Sequence, residues 1–253
     1  MTGLYDEDAD LYDIAFDWDV SEEAAWMQSR LGDDCRAVLE PGCGSGRIVL
    51  ALARRGPEVV GIDRSPRMIE LARARLHDLD HAEVVLADIT TFDLGRLFDG
   101  AVCPINTLLH LSPAGLSRHL DAMGAHLRPG ARYLVQVGLY EPDGRGDAPE
   151  DVSQWEIARG ETALTITWAT EHVDPENARL RQRSRIEVVS GPRAGDVLEE
   201  THEMTAWTPE RWQAALASSP FVCTAVYDGY RDERPCVPEG STGLLLWHEL
   251  TRR

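Results

Sequence analysis

From residue 37 to residue 137 the chain alternates short apolar runs with stretches whose apolar residues recur every three or four positions. The runs at 37–40, 58–62, 83–87, 98–103 and 132–137 predict strands, and 47–55 predicts a helix. Met68, Ile69, Ala72, Leu76 and Leu79 share one helical stripe, and Leu116, Leu120, Met123 and Leu127 share another. Ser65-Pro66, Ser112-Pro113 and Thr208-Pro209 each pair an N-cap residue with proline at the first helical position. Arg128-Pro129-Gly130 stops the helix that begins at Ser112. Strand–helix alternation of this kind predicts a doubly wound, parallel α/β sheet.

After Tyr140 the period changes to two. A polar stretch, EPDGRGDAPED at 141–151, reads as a loop. Leu164, Ile166 and Trp168 then alternate with threonines, the arginines 179, 181, 183 and 185 alternate with other residues, and 197–206 reads as another extended run. DPEN and GPRAGD mark the turns between them, so the segment predicts a three-stranded antiparallel meander packed on the main domain. The arginine row faces solvent or cross-strand glutamates such as Glu199 and Glu203, or else forms an anion-binding ladder. A helix at 209–216 and strands near 221–227 and 244–249 return to the main sheet. At the other end, Tyr5, Leu11, Tyr12, Ala15, Phe16 and Trp18 are too apolar for a free tail and predict a docked helix with its acids in water. The expected organisation is a single domain over 1–253, with a helical cap at 1–30, a ligand-binding core at 31–140, the inserted sheet at 152–206, and 207–253 completing the core.

Composition narrows the chemistry. The net charge of −18 disfavours a nucleic-acid backbone as partner. All 25 basic residues are arginine, which excludes a lysine nucleophile, a pyridoxal Schiff base and a P-loop lysine. The five cysteines form no CxxC pair, so no metal site or disulfide framework is indicated. With no signal peptide and no apolar run of membrane-spanning length, the chain reads as cytoplasmic and without a membrane partner.

The most informative stretch is VLEPGCGSGRI, Val38 to Ile48, where Gly42, Gly44 and Gly46 lie at the carboxyl end of the first expected strand. Ligands of open α/β sheets bind at that end, and glycine lets a ligand approach the main chain closely. A dinucleotide fingerprint would need glycine where Arg47 stands, and Glu40 would repel a pyrophosphate. A cationic nucleotide-like ligand fits better. S-adenosylmethionine (SAM) carries an ammonium, a sulfonium and no phosphate. Asp63 closes the second strand, 17 positions after Gly46, where an acid can accept both ribose hydroxyls. Asp88 closes the third in LADIT.

On these residues the sequence resembles the class I SAM-dependent methyltransferases, whose first motif has this acid-x-G-x-G-x-G form. The resemblance implies a Rossmann-like sheet and a cofactor set of Tyr12, Glu40, Gly42, Cys43, Gly44, Gly46, Asp63, Arg64, Met68, Asp88, Ile89 and Asn106. Within that set Asp88 is similar to the family's adenine-contacting acid, flanked by Ile89. Tyr12, or less well Tyr5, resembles the N-terminal tyrosine that reaches the cofactor carboxylate. The loop PINTLLHL at 104–111 lies beside the transferring methyl in the family; it lacks the Asp/Asn-Pro-Pro-aromatic motif of the DNA amino-methyltransferases. Asn106 is a candidate for positioning ligand or for holding the loop. His110 is a candidate general base, because an ordinary imidazole pKa of about 6.5 suits proton removal at neutral pH.

The inserted sheet resembles that of the aminosugar N-methyltransferases and their small-molecule relatives. There it covers the substrate or forms a contact in a homodimer. Tyr140, Trp155, Trp168 and His202 are the candidates for lining the substrate, with core packing as the alternative for each tryptophan. The expectation is methyl transfer from SAM to an N, O or C nucleophile of a small molecule, natural-product or sugar-like. The alternatives are a protein or peptide methyltransferase and a SAM-binding subunit without turnover.

Overall fold

The computed structural model describes residues 3–141, 151–230 and 245–253. The expected loop at 141–151 lies mostly outside them, as do Cys236 and Leu244.

Five parallel strands form the heart of the main sheet: β1 (Ala37–Pro41), β2 (Glu58–Asp63), β3 (Ala82–Leu86), β4 (Phe98–Cys103) and β5 (Leu127–Gln136). Their near-continuous apolar content follows from burial on both faces; Val38, Leu39, Ile62, Ala101, Val102 and Leu134 are wholly buried. Helices α3 (Arg47–Ala53), α4 (Pro66–Arg75) and α5 (Pro113–His126) supply the crossovers. Ser65 and Ser112 cap α4 and α5 as expected, accepting hydrogen bonds from Met68 N and Gly115 N at 3.2 Å each. Thr208 does the same for α6 (Pro209–Ala217), from Arg211 N at 3.3 Å. Two antiparallel strands, β10 (Phe221–Asp228) and β11 (Leu246–Arg252), finish the sheet in the order β10-β11-β5-β4-β1-β2-β3. The chain reverses direction across β1, so the carboxyl ends of β1 and β4 form the switch point at which such sheets bind ligands.

The insertion has four strands, not three: β6 (Asp151–Arg159), β7 (Thr162–Asp174), β8 (Arg179–Ser190) and β9 (Val197–Met204). The missed strand is β6, an edge strand whose Val152, Gln154, Glu156 and Ala158 are all exposed. Only Trp155 and Ile157 give it an apolar face, too few to mark a period of two. The arginine row pairs mainly with carboxylates: Arg181 with Glu203 at 2.7 Å, Arg183 with Glu171 at 2.9 Å and Arg185 with Glu199 at 3.0 Å.

The segment expected as one N-terminal cap is two helices with different partners. α2 (Ser21–Leu31) buries Ala24, Trp26, Met27 and Leu31 in the core beneath the main sheet. α1 (Ala9–Ala15) packs against the inserted sheet. Leu4, Leu11, Ile14, Ala15 and Phe16 form a separate apolar cluster with Leu164, Ile166, Ile186 and Val188. Asp13 pins this helix from below: its carboxylate meets Arg75 of α4 at 2.5 Å and Arg159 of β6 at 2.7 Å.

Candidate active site

The glycine turn is shaped by backbone geometry. Gly42, Gly44 and Gly46 all have positive φ, at 72°, 52° and 79°. A Cβ on Gly42 would lie 2.5 Å from Thr107 Cγ2, so the turn and the 3-10 turn Thr107–His110 touch there. A Cβ on Gly44 would meet nothing within 4 Å, so this amide plane borders open space. Cys43 lies beneath the turn, 2.7 Å from a Cβ position on Gly61, and is structural.

The three acids stand at the carboxyl ends of three neighbouring strands. Asp63 Oδ2 accepts from Gly44 N and Oδ1 from Ser65 N, each at 2.9 Å. It thereby holds the turn in shape, and each oxygen keeps a second lone pair for a ribose hydroxyl. Burial is the largest influence on Asp63 and raises its carboxyl, against the lowering effect of these two amides. Asp88 lies two residues beyond β3; its Oδ1 accepts from both Thr90 N and Thr90 Oγ1 at 2.7 Å, which holds the carboxyl below the usual range. Arg64 is exposed between these two acids and acts electrostatically on both. The Ile89 carbonyl contacts His119 Nδ1 at 2.9 Å, and Ile89 leans on the core. Met68, expected near the cofactor, is 1 % exposed and offers no open face.

Glu40 is 2 % exposed, and its Oε2 has no hydrogen-bond partner. Burial pushes its carboxyl well above the usual range; Arg47 opposes this, while Asp63 and Glu23 add to it. Arg47 Nη1 is likewise buried and unpartnered, with its guanidinium carbon 4.7 Å from the Trp18 ring centre. Leaving two such groups unsatisfied is costly, which makes the pair a candidate ligand contact. A carboxylate for an ammonium and a guanidinium for a carboxylate match the two ends of an amino acid. The methionine portion of SAM has both; a dinucleotide has neither. Sequence reasoning used Arg47 as a helix start and as a departure from the dinucleotide fingerprint, not as a ligand contact. Its signal lies in its place one residue after the glycines, as the first residue of α3 at the carboxyl end of β1.

Tyr12 lies within electrostatic reach of Arg47. Burial pushes its phenol up to about 12, with Arg47 pulling the other way. The Tyr5 ring lies tilted at 5.1 Å from Tyr12 and meets His110 edge-on at 5.9 Å and His202 at 6.0 Å. Both tyrosines therefore reach the site, and Tyr5 bridges its two halves.

Beyond the glycine turn, Ile105 and Asn106 both adopt left-handed φ, at 56° and 55°. Such strain in two successive residues without glycine needs support from outside. Gln136 Oε1 accepts from Ile105 N at 2.7 Å, and Asn106 Oδ1 accepts from Gly138 N at 2.8 Å. The Asn106 amide oxygen thus holds the loop on which His110 sits.

His110 opens into a cavity of about 670 Å³, shared with Ser112, His172, Arg179, Arg181, Glu203, Met204 and Thr205. Tyr5 and His202 set ring edges against the His110 ring at 5.9 Å and 6.4 Å. Burial, then His202 and Arg64, lower its pKa to about 4, correcting the expectation of a base poised near neutrality. The four residues expected to line the substrate do not line this cavity. Trp155 donates to the Ala15 carbonyl at 2.8 Å and anchors α1. Trp168 stacks on His202 at 4.7 Å and donates to Gln182 Oε1 at 2.9 Å. His202 is 5 % exposed and bonded to Ser184 Oγ at 2.9 Å, forming the wall behind His110. Tyr140 is half-buried against the main core, its amide bonded to the Trp207 carbonyl at 2.8 Å. Among the described residues no group of three or more His, Cys, Asp or Glu could hold a metal ion, and no helix is long and apolar enough to cross a membrane.

Comparison with known proteins agrees with this geometry. Residues 38–130 match the family model described as a methyltransferase domain. The chain is 32 % identical over 151 residues to the 2-heptyl-1-hydroxyquinolin-4(1H)-one methyltransferase of Mycobacteroides abscessus, covering 56 % of this chain and 62 % of that protein. It is 35 % identical over 109 residues to the magnesium-protoporphyrin O-methyltransferase of Rhodobacter capsulatus, covering 40 % and 46 %. The chain thus spans less than two thirds of the length of these curated relatives. In fold it is similar to SAM-bound CalS10, an amino pentose methyltransferase from Micromonospora echinaspora, with a TM-score of 0.74, 24 % identity and 96 % and 97 % of the chains covered. It is also similar to DesVI of Streptomyces venezuelae, at a TM-score of 0.78, 20 % identity and coverage of 96 % and 98 %. Residues 38–130 therefore match a methyltransferase domain, and the chain has a class I methyltransferase fold with an inserted antiparallel sheet.

Proposed function

We propose that the protein is a SAM-dependent methyltransferase acting on a small molecule held in the cavity beside His110. The observation that carries this reading is the pair of buried, unpartnered groups, Glu40 Oε2 and Arg47 Nη1, at the switch point of the sheet. Glu40, Arg47 and Tyr12 would hold the amino-acid end of the cofactor, the glycine turn its middle, Asp63 the ribose, and Asp88 with Ile89 the adenine side. Bound there, SAM supplies a methyl group already activated on a sulfonium. The chain's own work is then to align the acceptor and exclude water. A cavity of about 670 Å³ suits a metabolite, whereas a peptide substrate calls for an open groove.

His110 is neutral at pH 7, since its pKa is held at about 4. It can accept a hydrogen bond from the acceptor, but as a weak base it gives little drive for deprotonating a hydroxyl. That favours an amine nitrogen, which needs only orientation and loss of a proton after transfer. His110→Ala is expected to lower turnover by about 10- to 100-fold. Below its pKa the ring is protonated and cannot accept, so the acid limb of the wild-type pH profile falls at about pH 4 if His110 governs it. An acid limb at pH 6 to 7 that persists in His110→Ala would remove His110 from the mechanism.

The function is tested by incubating the protein with methyl-labelled SAM and a panel of amines, phenols, amino sugars and peptides. Label is expected on a small amine. Transfer only to peptides, or calorimetry showing no binding of SAM or S-adenosylhomocysteine, would overturn the reading.

A further inference from the structure

The arginine row of β8 contains one member that its neighbours do not explain. Arg181, Arg183 and Arg185 each meet a glutamate within about 3 Å, across β9 or β7. Arg179 has no ion pair among the described residues. The residue opposite it on β7 is Asp174, which attracts it electrostatically without an ion pair within 4 Å, its oxygens being turned to the Asn177 turn. Its oxygens take Asn177 N at 3.1 Å and Asn177 Nδ2 at 2.7 Å. Arg179 instead lines the same cavity as His110, together with Arg181 and His172. The cavity contains one acid, Glu203, and Arg181 already occupies it at 2.7 Å. The Arg179 guanidinium therefore lines the cavity with no carboxylate in contact with it among the described residues, in a chain whose net charge is −18.

We infer that Arg179 forms an anion subsite of the acceptor cavity, taking a carboxylate or phosphate group on the small molecule that is methylated. The guanidinium fork suits either group, because both present two oxygens in a plane. Resting on the methyltransferase reading, this makes the acceptor a bifunctional molecule, with its nucleophile toward His110 and its acid toward the far wall. The general field of the protein repels anions. A local arginine would therefore admit an acidic acceptor where the rest of the surface turns it away.

The experiment titrates pyrophosphate and citrate into the protein by calorimetry at constant ionic strength, with and without saturating S-adenosylhomocysteine. Wild-type protein is expected to bind at least one of the two anions. Arg179→Gln is expected to weaken that binding about tenfold or more, the loss of one charge-assisted hydrogen-bond pair. Arg183→Gln, on the same row but paired with Glu171, should leave it unchanged. Preference for pyrophosphate assigns a phosphorylated acceptor; preference for citrate assigns a carboxylate. No binding of either anion to the wild type, or equal losses in the two variants, overturns the subsite. Failure of S-adenosylhomocysteine to bind would instead strike the cofactor reading, and the anion titration without it still reports on Arg179.

Discussion

Replacing Glu40 with glutamine is expected to weaken SAM binding by about 10- to 100-fold, the range for a buried hydrogen bond to a charged partner. The pH dependence is the more specific sign. Burial holds the Glu40 carboxyl well above its ordinary range in the free protein. An ammonium set against Oε2 favours the ionised form. Binding therefore releases a proton where the pH lies between the lowered bound-state pKa and the free-state pKa, and affinity rises with pH through that window before levelling off. Calorimetry in buffers of different ionisation heat reads the released proton directly. Glu40→Gln should lose both the affinity and the proton release. Unchanged affinity in the variant would mean that the acid serves the fold and not the ligand.

Replacing Asp13 with alanine is expected to cost about 3 kcal/mol of stability, the cost of breaking a buried ion pair from one side. Asp13 is 5 % exposed and stands between Arg75 and Arg159. Most of the effect should come through Arg75, whose side chain is 17 % exposed; that of Arg159 is 41 % exposed, and water screens its share. Burial alone would raise the Asp13 carboxyl, but the Ser45 and Arg159 hydrogen bonds and the two arginine charges outweigh it and leave it lowered. Its contribution is thus complete above the ordinary carboxylate range and is lost as the pH falls through the lowered folded value. Chemical denaturation of Asp13→Ala, Arg75→Ala and the double variant measures the coupling. A coupling near zero would show that the pair does not hold the cap in place.

The parts of this molecule legible in its sequence are those set by local rules. The three Ser/Thr-Pro starts are caps because one hydroxyl and one ring fix the first turn. The glycines of 42–46 could be read because the backbone there needs positive φ whatever lies around it. What escaped depended on partners far along the chain. Arg47 looks like an ordinary helix residue until Tyr12, Trp18 and Glu40 are seen around it. Trp155 could be read as lining the substrate or as packing in the core, and its partner was hidden, since its indole reaches Ala15, 140 positions away. The lowered pKa of His110 was hidden for the same reason, since desolvation and the charges of His202 and Arg64 come from residues far along the chain.

The docking of α1 on the inserted sheet has a consequence for anyone recombining such proteins. Leu4 N donates to Glu200, Arg193 meets Asp8 at 2.8 Å, and Trp155 holds Ala15. The sheet therefore has half of its hydrophobic core encoded more than a hundred residues upstream of it. A chimera that exchanges only 151–204 between two scaffolds would strip the sheet of its apolar cover and leave the parent's first helix facing a foreign surface. The exchangeable unit is discontinuous: residues 3–17 must travel with the sheet, and specificity grafted without them should arrive as insoluble protein.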